Sequence, residues 1–99
     1  MLVVAKANLG RITESHLEGP PDLAIEILSP SNRPGAMHAK VADYLAAGAR
    51  LVWVVDPERR SITTYRTLLA PRRLGLNETI VGEDVLPGLA IPLEAIFER

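Results

Sequence analysis

The 99-residue sequence contains no cysteine, so it has neither a disulfide framework nor a thiolate metal site. It also lacks any apolar run near the ~20 residues that a membrane-spanning helix needs, which argues against a transmembrane protein. The amino-terminal stretch MLVVAKANLG has no positive charge ahead of its apolar residues, so it does not predict a signal peptide. These absences indicate a cytoplasmic protein that has no membrane partner.

A strong excess of positive charge is absent as well. The chain has 11 lysines and arginines against 12 acids, which gives a formal net charge of −1 at pH 7. Tight non-specific binding to duplex DNA needs many basic side chains that neutralise phosphates, so this balance argues against a dedicated DNA-binding module. It remains compatible with an enzyme that contacts nucleic acid weakly. The sequence also has no glycine-rich loop of the kind that cradles nucleotide phosphates.

The composition is that of a small folded domain. Hydrophobic residues make up 47% of the chain, which is enough for one core of modest size. No internal repeat, linker or low-complexity stretch divides the sequence. Residues 1–99 are therefore expected to form a single domain.

The stretch from Pro20 to Tyr44 predicts a strand followed by a helix. The apolar run Leu23–Leu28 has the length and composition of a strand, and its alternation places Glu26 on the face opposite to the core residues. Turn residues follow, and a helix is then predicted over Gly35–Ala47. The apolar stripe of that helix consists of Met37, Val41, Tyr44 and Leu45.

The ends of this helix have recognisable signals. Ser31 or Asn32 is available as a cap before the first turn, and Pro34 suits the first turn itself. Gly48 fits the left-handed conformation that stops a helix. Lys40 lies beside the apolar stripe, so its stem can follow apolar surface while its ammonium group reaches the sheet.

The remaining segments predict mainly short strands. Leu51–Val55 is apolar at every position, which is typical of a central strand covered on both faces. Ser61–Leu68 is rich in threonine and tyrosine, and we expect it to return antiparallel to that strand. Four further strands are predicted: Leu2–Ala5, Arg72–Leu76, Glu78–Val81 and Leu89–Ile91, of which the second and third lie on either side of Asn77. Helical turns are predicted at Glu14–Leu17 and near Ile96 and Phe97.

Glu26 and Lys40 form the candidate site. A strand rises about 3.3 Å per residue, so Asp22 and Glu26 are separated by roughly 13 Å and cannot both bind one Mg²⁺, whose ligands lie at about 2.1 Å. Glu26 therefore needs an acidic partner from a neighbouring strand, about 4.8 Å away. The expected neighbour, Leu2–Ala5, contains no acid, so such a partner is expected before Met1.

Each candidate residue also has an ordinary structural explanation. Glu26 fits a glutamate on the sheet surface, or one that pairs with Lys40 or Arg33. Lys40 fits a solvated helix lysine, and Asp22 fits a residue that begins a strand. The two histidines are far apart in sequence and have no metal-ligand spacing to a carboxylate.

Three separated segments resemble a known family. PPDLAIEILSPSNR, AKVADYLAAGARLVWVVDPERRSITTY and DVLPGLAIPLEAIF occur in the order found in the Uma-type restriction endonucleases of the PD-(D/E)XK nuclease superfamily. The resemblance extends from about Leu2 to Phe97. It implies an α/β fold: a restriction-endonuclease-like mixed β-sheet with one principal helix, whose later strands form an antiparallel meander. It also implies that DNA is cleaved with Mg²⁺ or Mn²⁺.

The resemblance also implies roles for individual residues. Glu26 matches the strand glutamate that ligates the metal. Lys40 takes the place of the superfamily lysine, because the position two residues after Glu26 is Leu28, and it would orient water and offset charge on the phosphate. Asp22 matches the aspartate that opens the motif strand. Family members carry a further Pro-Asp before the strand that matches Leu2–Ala5, and without it we expect a poor nuclease.

Two functions are therefore expected. The first is a DNA endonuclease, carried by a single, partial restriction-endonuclease-like domain with Glu26, Lys40 and Asp22 as its catalytic residues. The alternative is a catalytically silent nuclease-fold domain that acts as a dimerisation or binding module. Exposed sheet edges lead us to expect a homodimer in either case. Both readings depend on whether Glu26 and Lys40 converge over the same part of the sheet.

Overall fold

The computed structural model describes residues 2–6, 11–14, 22–31 and 33–97, with the backbone alone for the first two ranges. The described elements, in chain order, are β1 (Leu2–Lys6), β2 (Arg11–Glu14), β3 (Leu23–Ile27), α1 (Pro34–Ala46), β4 (Leu51–Asp56), β5 (Ser61–Tyr65), β6 (Arg72–Leu74), β7 (Thr79–Val81), β8 (Ala90–Pro92) and α2 (Leu93–Phe97).

Six of the strands form one mixed sheet in the order β2-β1-β3-β4-β5-β6. β3 and β4 are parallel, whereas the other neighbouring pairs are antiparallel. Parallel neighbours need a crossover connection, and α1 supplies it. The structure therefore confirms the predicted mixed sheet, with one principal helix and an antiparallel meander from β4 to β6. A separate two-stranded sheet is formed by β7 and β8.

Apolar side chains cover both faces of β4, as its uninterrupted apolar run predicts. Residues of α1 pack on one face and residues of the β7–β8 unit and α2 pack on the other. The core on the α1 side consists of Ala24, Met37, Val41, Ala49, Val52 and Val54. The core on the opposite side consists of Leu23, Leu51, Trp53, Ile62, Leu74, Ile80, Val85 and Leu93.

The helix α1 begins one residue earlier than predicted, at Pro34, and the left-handed Gly48 (φ 112°) lies just past its end. The residue before the helix is Arg33, whose side chain makes no capping hydrogen bond, so the predicted cap by Ser31 is not formed. Asn32, the other predicted cap, lies outside the described residues. Within the described part of the chain, no helix combines the length and the apolar character needed to span a membrane.

The amino-terminal region corrects one prediction. The helical turn expected over Glu14–Leu17 is wrong at its first residue, because Glu14 ends β2 and is paired with Val3 of β1. Residues 15–17 lie outside the described residues. A four-residue strand with a single apolar side chain is too short for periodicity to identify, so its pairing with β1 decides its conformation.

Ion pairs join the turn after β7 to the six-stranded sheet. Arg66 binds both Glu83 and Asp84, and Arg50 binds Asp84 at 2.8 Å. Hydrogen bonds from Arg66 and then from Arg50 hold the pKa of Asp84 below its ordinary value. These side chains are between one third and two thirds exposed, so the network orients the turn and adds little to stability.

Gly82 makes the turn after β7 possible. A Cβ at this position would lie 2.2 Å from the carbonyl oxygen of Leu86 and 2.6 Å from its Cβ. The backbone N–H groups of Val85 and Leu86 donate to the Gly82 carbonyl at 3.1 and 3.0 Å, which closes the turn. Glu83 follows with a positive φ of 55°, a conformation that is uncommon for a residue other than glycine.

Gly82→Ala should lower the free energy of unfolding by about 2–3 kcal/mol, because the closed turn must move to admit the methyl group. Urea unfolding followed by the fluorescence of Trp53, the single tryptophan, measures this change. Gly75→Ala is the matched control, since a Cβ there meets nothing within 4 Å. We expect that control to stay within about 0.5 kcal/mol of the wild type. Equal losses in the two variants would contradict the steric argument.

Candidate active site

Glu26 lies near the carboxyl end of β3, on the face of the sheet that α1 covers. In the strand register it is opposite Leu2 of β1 and beside Val54 of β4. Its residue is only 3% exposed, within a core that is otherwise apolar. Because a buried charge is costly unless it is paired and hydrogen-bonded, the fold must supply partners for this carboxylate.

Two residues of α1 supply such partners. The Tyr44 hydroxyl donates a hydrogen bond to Oε2 of Glu26 at 2.6 Å. The Lys40 Nζ lies 3.7 Å from Oε1 of the same carboxylate. Lys40 and Tyr44 are four residues apart, so they share one face of the helix. The expected convergence of Glu26 and Lys40 over one part of the sheet is confirmed.

The two contacts differ in strength and in exposure. The Tyr44 hydrogen bond is partly buried, and its length is that of a hydroxyl donating to a charged oxygen. The Lys40 side chain is 52% exposed, and its 3.7 Å separation is an ion pair without a hydrogen bond. Only the Lys40 end of this pair is open to solvent, since the Glu26 side chain is 4% exposed. Tyr44 therefore fixes the carboxylate, while the Lys40 ammonium stays accessible from solvent.

The environment of Tyr44 keeps its hydroxyl protonated. Burial raises the pKa of Tyr44 above its ordinary value, and the hydrogen bond to Glu26 raises it further. The negative charges of Glu26 and Asp43 act in the same direction. Tyr44 can therefore donate its hydrogen bond throughout the neutral and moderately alkaline range.

Sequence reasoning placed Tyr44 in the apolar stripe of the helix and missed its hydroxyl as part of the site. The stripe assignment was right for the ring, which packs against the core on the α1 side. Its spacing of four residues from Lys40 could have indicated this role, because residues four apart lie on the same side of a helix.

Asp22 lies at the start of β3, roughly 13 Å along the strand from Glu26. Its Oδ1 is 3.9 Å from an Arg50 guanidinium nitrogen, and its carbonyl accepts hydrogen bonds from the N–H groups of Arg50 and Leu51. The structure therefore brings Asp22 to the start of β4 and not to Glu26. These contacts are those of a residue that begins a strand, and its catalytic role stays a prediction.

The described residues do not make a complete metal site around Glu26. In the part of the chain that the structure describes, no three histidine, cysteine, aspartate or glutamate side chains form a group that could hold an ion. The neighbouring positions in the register, Leu2 and Val54, carry no carboxylate. Mg²⁺ demands near-octahedral oxygen coordination, to which Glu26 contributes at most one residue's oxygens. An ion bound at Glu26 would therefore need further oxygen ligands beyond these residues.

We expect Tyr44 to stay protonated at pH values where an ordinary tyrosine, with a pKa near 10, ionises. In Tyr65→Phe, Tyr44 is the one tyrosine left of two, so phenolate absorbance reports it alone. The pKa of Tyr44 is higher in the folded than in the unfolded state. The corresponding contribution to folding stability is therefore complete below about pH 10, the unfolded-state pKa, and decreases as the pH rises above it. Adding Glu26→Gln removes the neighbouring charge and should lower the pKa. Identical titrations with and without Glu26→Gln would contradict this account.

Comparisons with known proteins support the fold and identify the family. The family model described as "Uma2: Putative restriction endonuclease" matches residues 2–94. A similar solved structure, with a TM-score of 0.72 and 21% identity, is described as a putative nuclease belonging to DUF820 from Anabaena variabilis. The match covers 80% of this chain and 45% of that one, so the chain spans less than half of that protein. A comparison with curated proteins found no match.

The family match includes both Glu26 and Lys40 and extends over most of the chain. Restriction endonucleases are DNA-cleaving enzymes, and as a class they use divalent metal ions. The similar structure, at 21% identity, independently supports a nuclease-like fold. The resemblance seen in the sequence is thus confirmed, and the chain belongs to the Uma2 family, described as "Putative restriction endonuclease".

Proposed function

We propose that this chain carries the catalytic pair of a DNA endonuclease that hydrolyses phosphodiester bonds with Mg²⁺ or Mn²⁺. The observation that supports the proposal most directly is the buried Glu26 carboxylate with the Lys40 ammonium 3.7 Å away. In this proposal Glu26 is a metal ligand and Lys40 contacts the phosphate. We also propose that the enzyme acts in the cytoplasm, where a DNA substrate would be available.

The exposure of Lys40 suits contact with a phosphate. Its ammonium is a compact point charge on a flexible stem, and half of the side chain is open to solvent. A phosphodiester oxygen that approaches Glu26 would meet this charge, which stabilises the extra negative charge of the transition state. Tyr44 acts as a positioning residue, because its hydrogen bond holds the carboxylate on which the arrangement depends.

The wild-type chain should nick supercoiled plasmid slowly in Mg²⁺ or Mn²⁺. Lys40→Ala and Glu26→Gln should each reduce the rate by about a hundredfold or more, the usual cost of losing one preorganised charge-stabilising group. Arg73→Ala is the matched control, because it removes an exposed positive charge from β6, at the far end of the sheet. Its rate should stay within about twofold of the wild type. Cleavage that persists in Lys40→Ala or Glu26→Gln would contradict the assignment of the pair.

A second carboxylate placed opposite Glu26 should complete the ion site. Residues directly opposite on antiparallel strands share a face, with Cβ atoms about 4.5–5.5 Å apart, and position 2 is opposite position 26. Leu2→Asp should therefore strengthen Mg²⁺ binding at least tenfold in calorimetry and raise the cleavage rate. Leu2→Asn introduces a side chain of the same shape as aspartate without its charge, so it should change neither Mg²⁺ binding nor the cleavage rate.

Combining Leu2→Asp with Glu26→Gln should cancel the gain in metal binding. This double variant separates binding at the intended pair from weak binding to an added surface acid. If Leu2→Asp bound Mg²⁺ equally well with and without Glu26, Glu26 would not be a metal ligand.

One observation favours a second candidate function. Because the described residues hold no complete metal site, the domain fits a catalytically silent nuclease fold that acts as a dimerisation or binding module. We propose a homodimer in either case, since β2 and β6 are the outer strands of the six-stranded sheet within the described residues, and outer strands are open to pairing. No Mg²⁺ binding, no cleavage and a concentration-dependent dimer in sedimentation would favour the silent module.

A further inference from the structure

A cleft of about 670 Å³ opens next to the Glu26–Lys40 pair, on the face of the sheet that α1 covers. Leu28, in its wall, lies just past the end of β3, two residues after Glu26 and roughly 7 Å further along. Met37, also in its wall, precedes Lys40 by about one helical turn. The cleft lies where the parallel strands β3 and β4 end, a common position for ligands in α/β sheets, and its volume is typical of a ligand site.

The chemistry of the cleft combines an apolar floor with a polar rim. The floor includes an aromatic ring and two apolar side chains that pack on the core, and the rim offers guanidinium and imidazole groups. These floor and rim residues are Leu28, Met37, Tyr65, Arg33, His38 and Arg59. A flat heterocycle with hydrogen-bonding edges matches this combination, because it can stack on the ring and be bound at its edges.

The charges in the cleft are balanced. Of the described residues that line it, two are arginines and two are acids. One arginine, Arg59, is paired with Asp56 at 3.5 Å, and Glu58 is the second acid. A balanced lining does not favour a phosphate over an uncharged group. Just outside the cleft, the half-exposed Lys40 offers a further cation for a phosphate.

The walls of the cleft are held in place by the backbone. Pro30, Pro34 and Pro57 restrict the main chain around it. The Asp56 carboxylate accepts hydrogen bonds from two backbone N–H groups of the turn after β4, at 3.1 and 3.2 Å. A preformed cleft loses little conformational entropy when it is filled, which favours a small rigid occupant.

From these observations we propose that the cleft binds an unstacked nucleobase of a DNA strand whose phosphate lies at Glu26 and Lys40. The substrate is then single-stranded or locally unpaired DNA, since a base stacked and paired in a duplex cannot enter a cleft. The inference rests on the proposed function. It also agrees with the net charge of −1, because stacking supplies affinity that this chain cannot obtain from many phosphate contacts.

Fluorescence anisotropy in EDTA tests the proposal without cleavage. Three short labelled probes are compared: a single-stranded oligonucleotide, its duplex, and an abasic strand with the same backbone. The full chain should bind the single strand about tenfold more tightly than either of the other two. Equal affinity for the single strand and the abasic strand would overturn the proposal, because it would show that bases are not bound.

A pair of neighbouring substitutions on α1 locates the binding. His38→Trp fills the mouth of the cleft and should weaken single-strand binding about tenfold. Ala39→Trp adds the same side chain at the next exposed position, which does not line the cleft, and should leave binding unchanged. Tyr65→Leu should weaken binding and Tyr65→Phe should preserve it, because phenylalanine keeps the aromatic face. If His38→Trp bound as tightly as Ala39→Trp, the cleft would not be the base site.

The outcome can be separated from that of the cleavage experiments. Base-selective binding that is lost in His38→Trp, without any cleavage that depends on Glu26 and Lys40, would support the cleft and refute the endonuclease. Cleavage that depends on Glu26 and Lys40, together with equal binding of the single strand and the duplex, would support the endonuclease and refute the base-binding cleft.

Discussion

The arrangement of this domain depends on one buried carboxylate. Glu26 lies in the interface between a sheet and a helix, where its neighbours along and across the strands are apolar. An uncompensated charge in such a place would cost several kcal/mol, so the packing of α1 on the sheet is tolerable only if the helix brings partners to it. Tyr44 and Lys40 are those partners. These contacts also fix the rotation of α1 about its own axis, because Lys40 and Tyr44 lie on one face of the helix and that face must point towards Glu26.

The surrounding fold makes this possible by burying the first four residues of β4. Apolar side chains pack on both faces of β4, and α1 and β3 both pack against this strand. The parallel β3–α1–β4 unit sets the position of the helix over the sheet. The carboxyl-terminal elements β7, β8 and α2 cover the opposite face. The candidate site and the covering layer therefore lie on different sides of one sheet, and changes in one need not disturb the other.

The sequence was most informative where pattern and packing agree. The apolar run of β4, the stop at Gly48 and the helical spacing around Lys40 each follow from local physics, so the central unit and the meeting of Glu26 with Lys40 could be predicted. The pairing of short strands could not. The segments on either side of Asn77 look like two arms of a hairpin, yet β6 joins the large sheet and β7 pairs with β8. Non-local packing decides such pairing, and a three-residue strand carries too little pattern to reveal it.

The role of Tyr44 was hidden for a related reason, since a tyrosine in an apolar stripe gives no sign of where its hydroxyl points. Among the described residues no second acid lies beside Glu26, and the Tyr44 hydroxyl bears on what this means. Tyr44 and Lys40 give the Glu26 carboxylate a hydrogen bond and an ion pair from α1. A second carboxylate would add a negative charge that Lys40 alone cannot balance, and the site would then gain from a divalent cation. Because the Lys40 side chain is half exposed, its ammonium can also contact a phosphate, while the Tyr44 hydrogen bond holds the carboxylate.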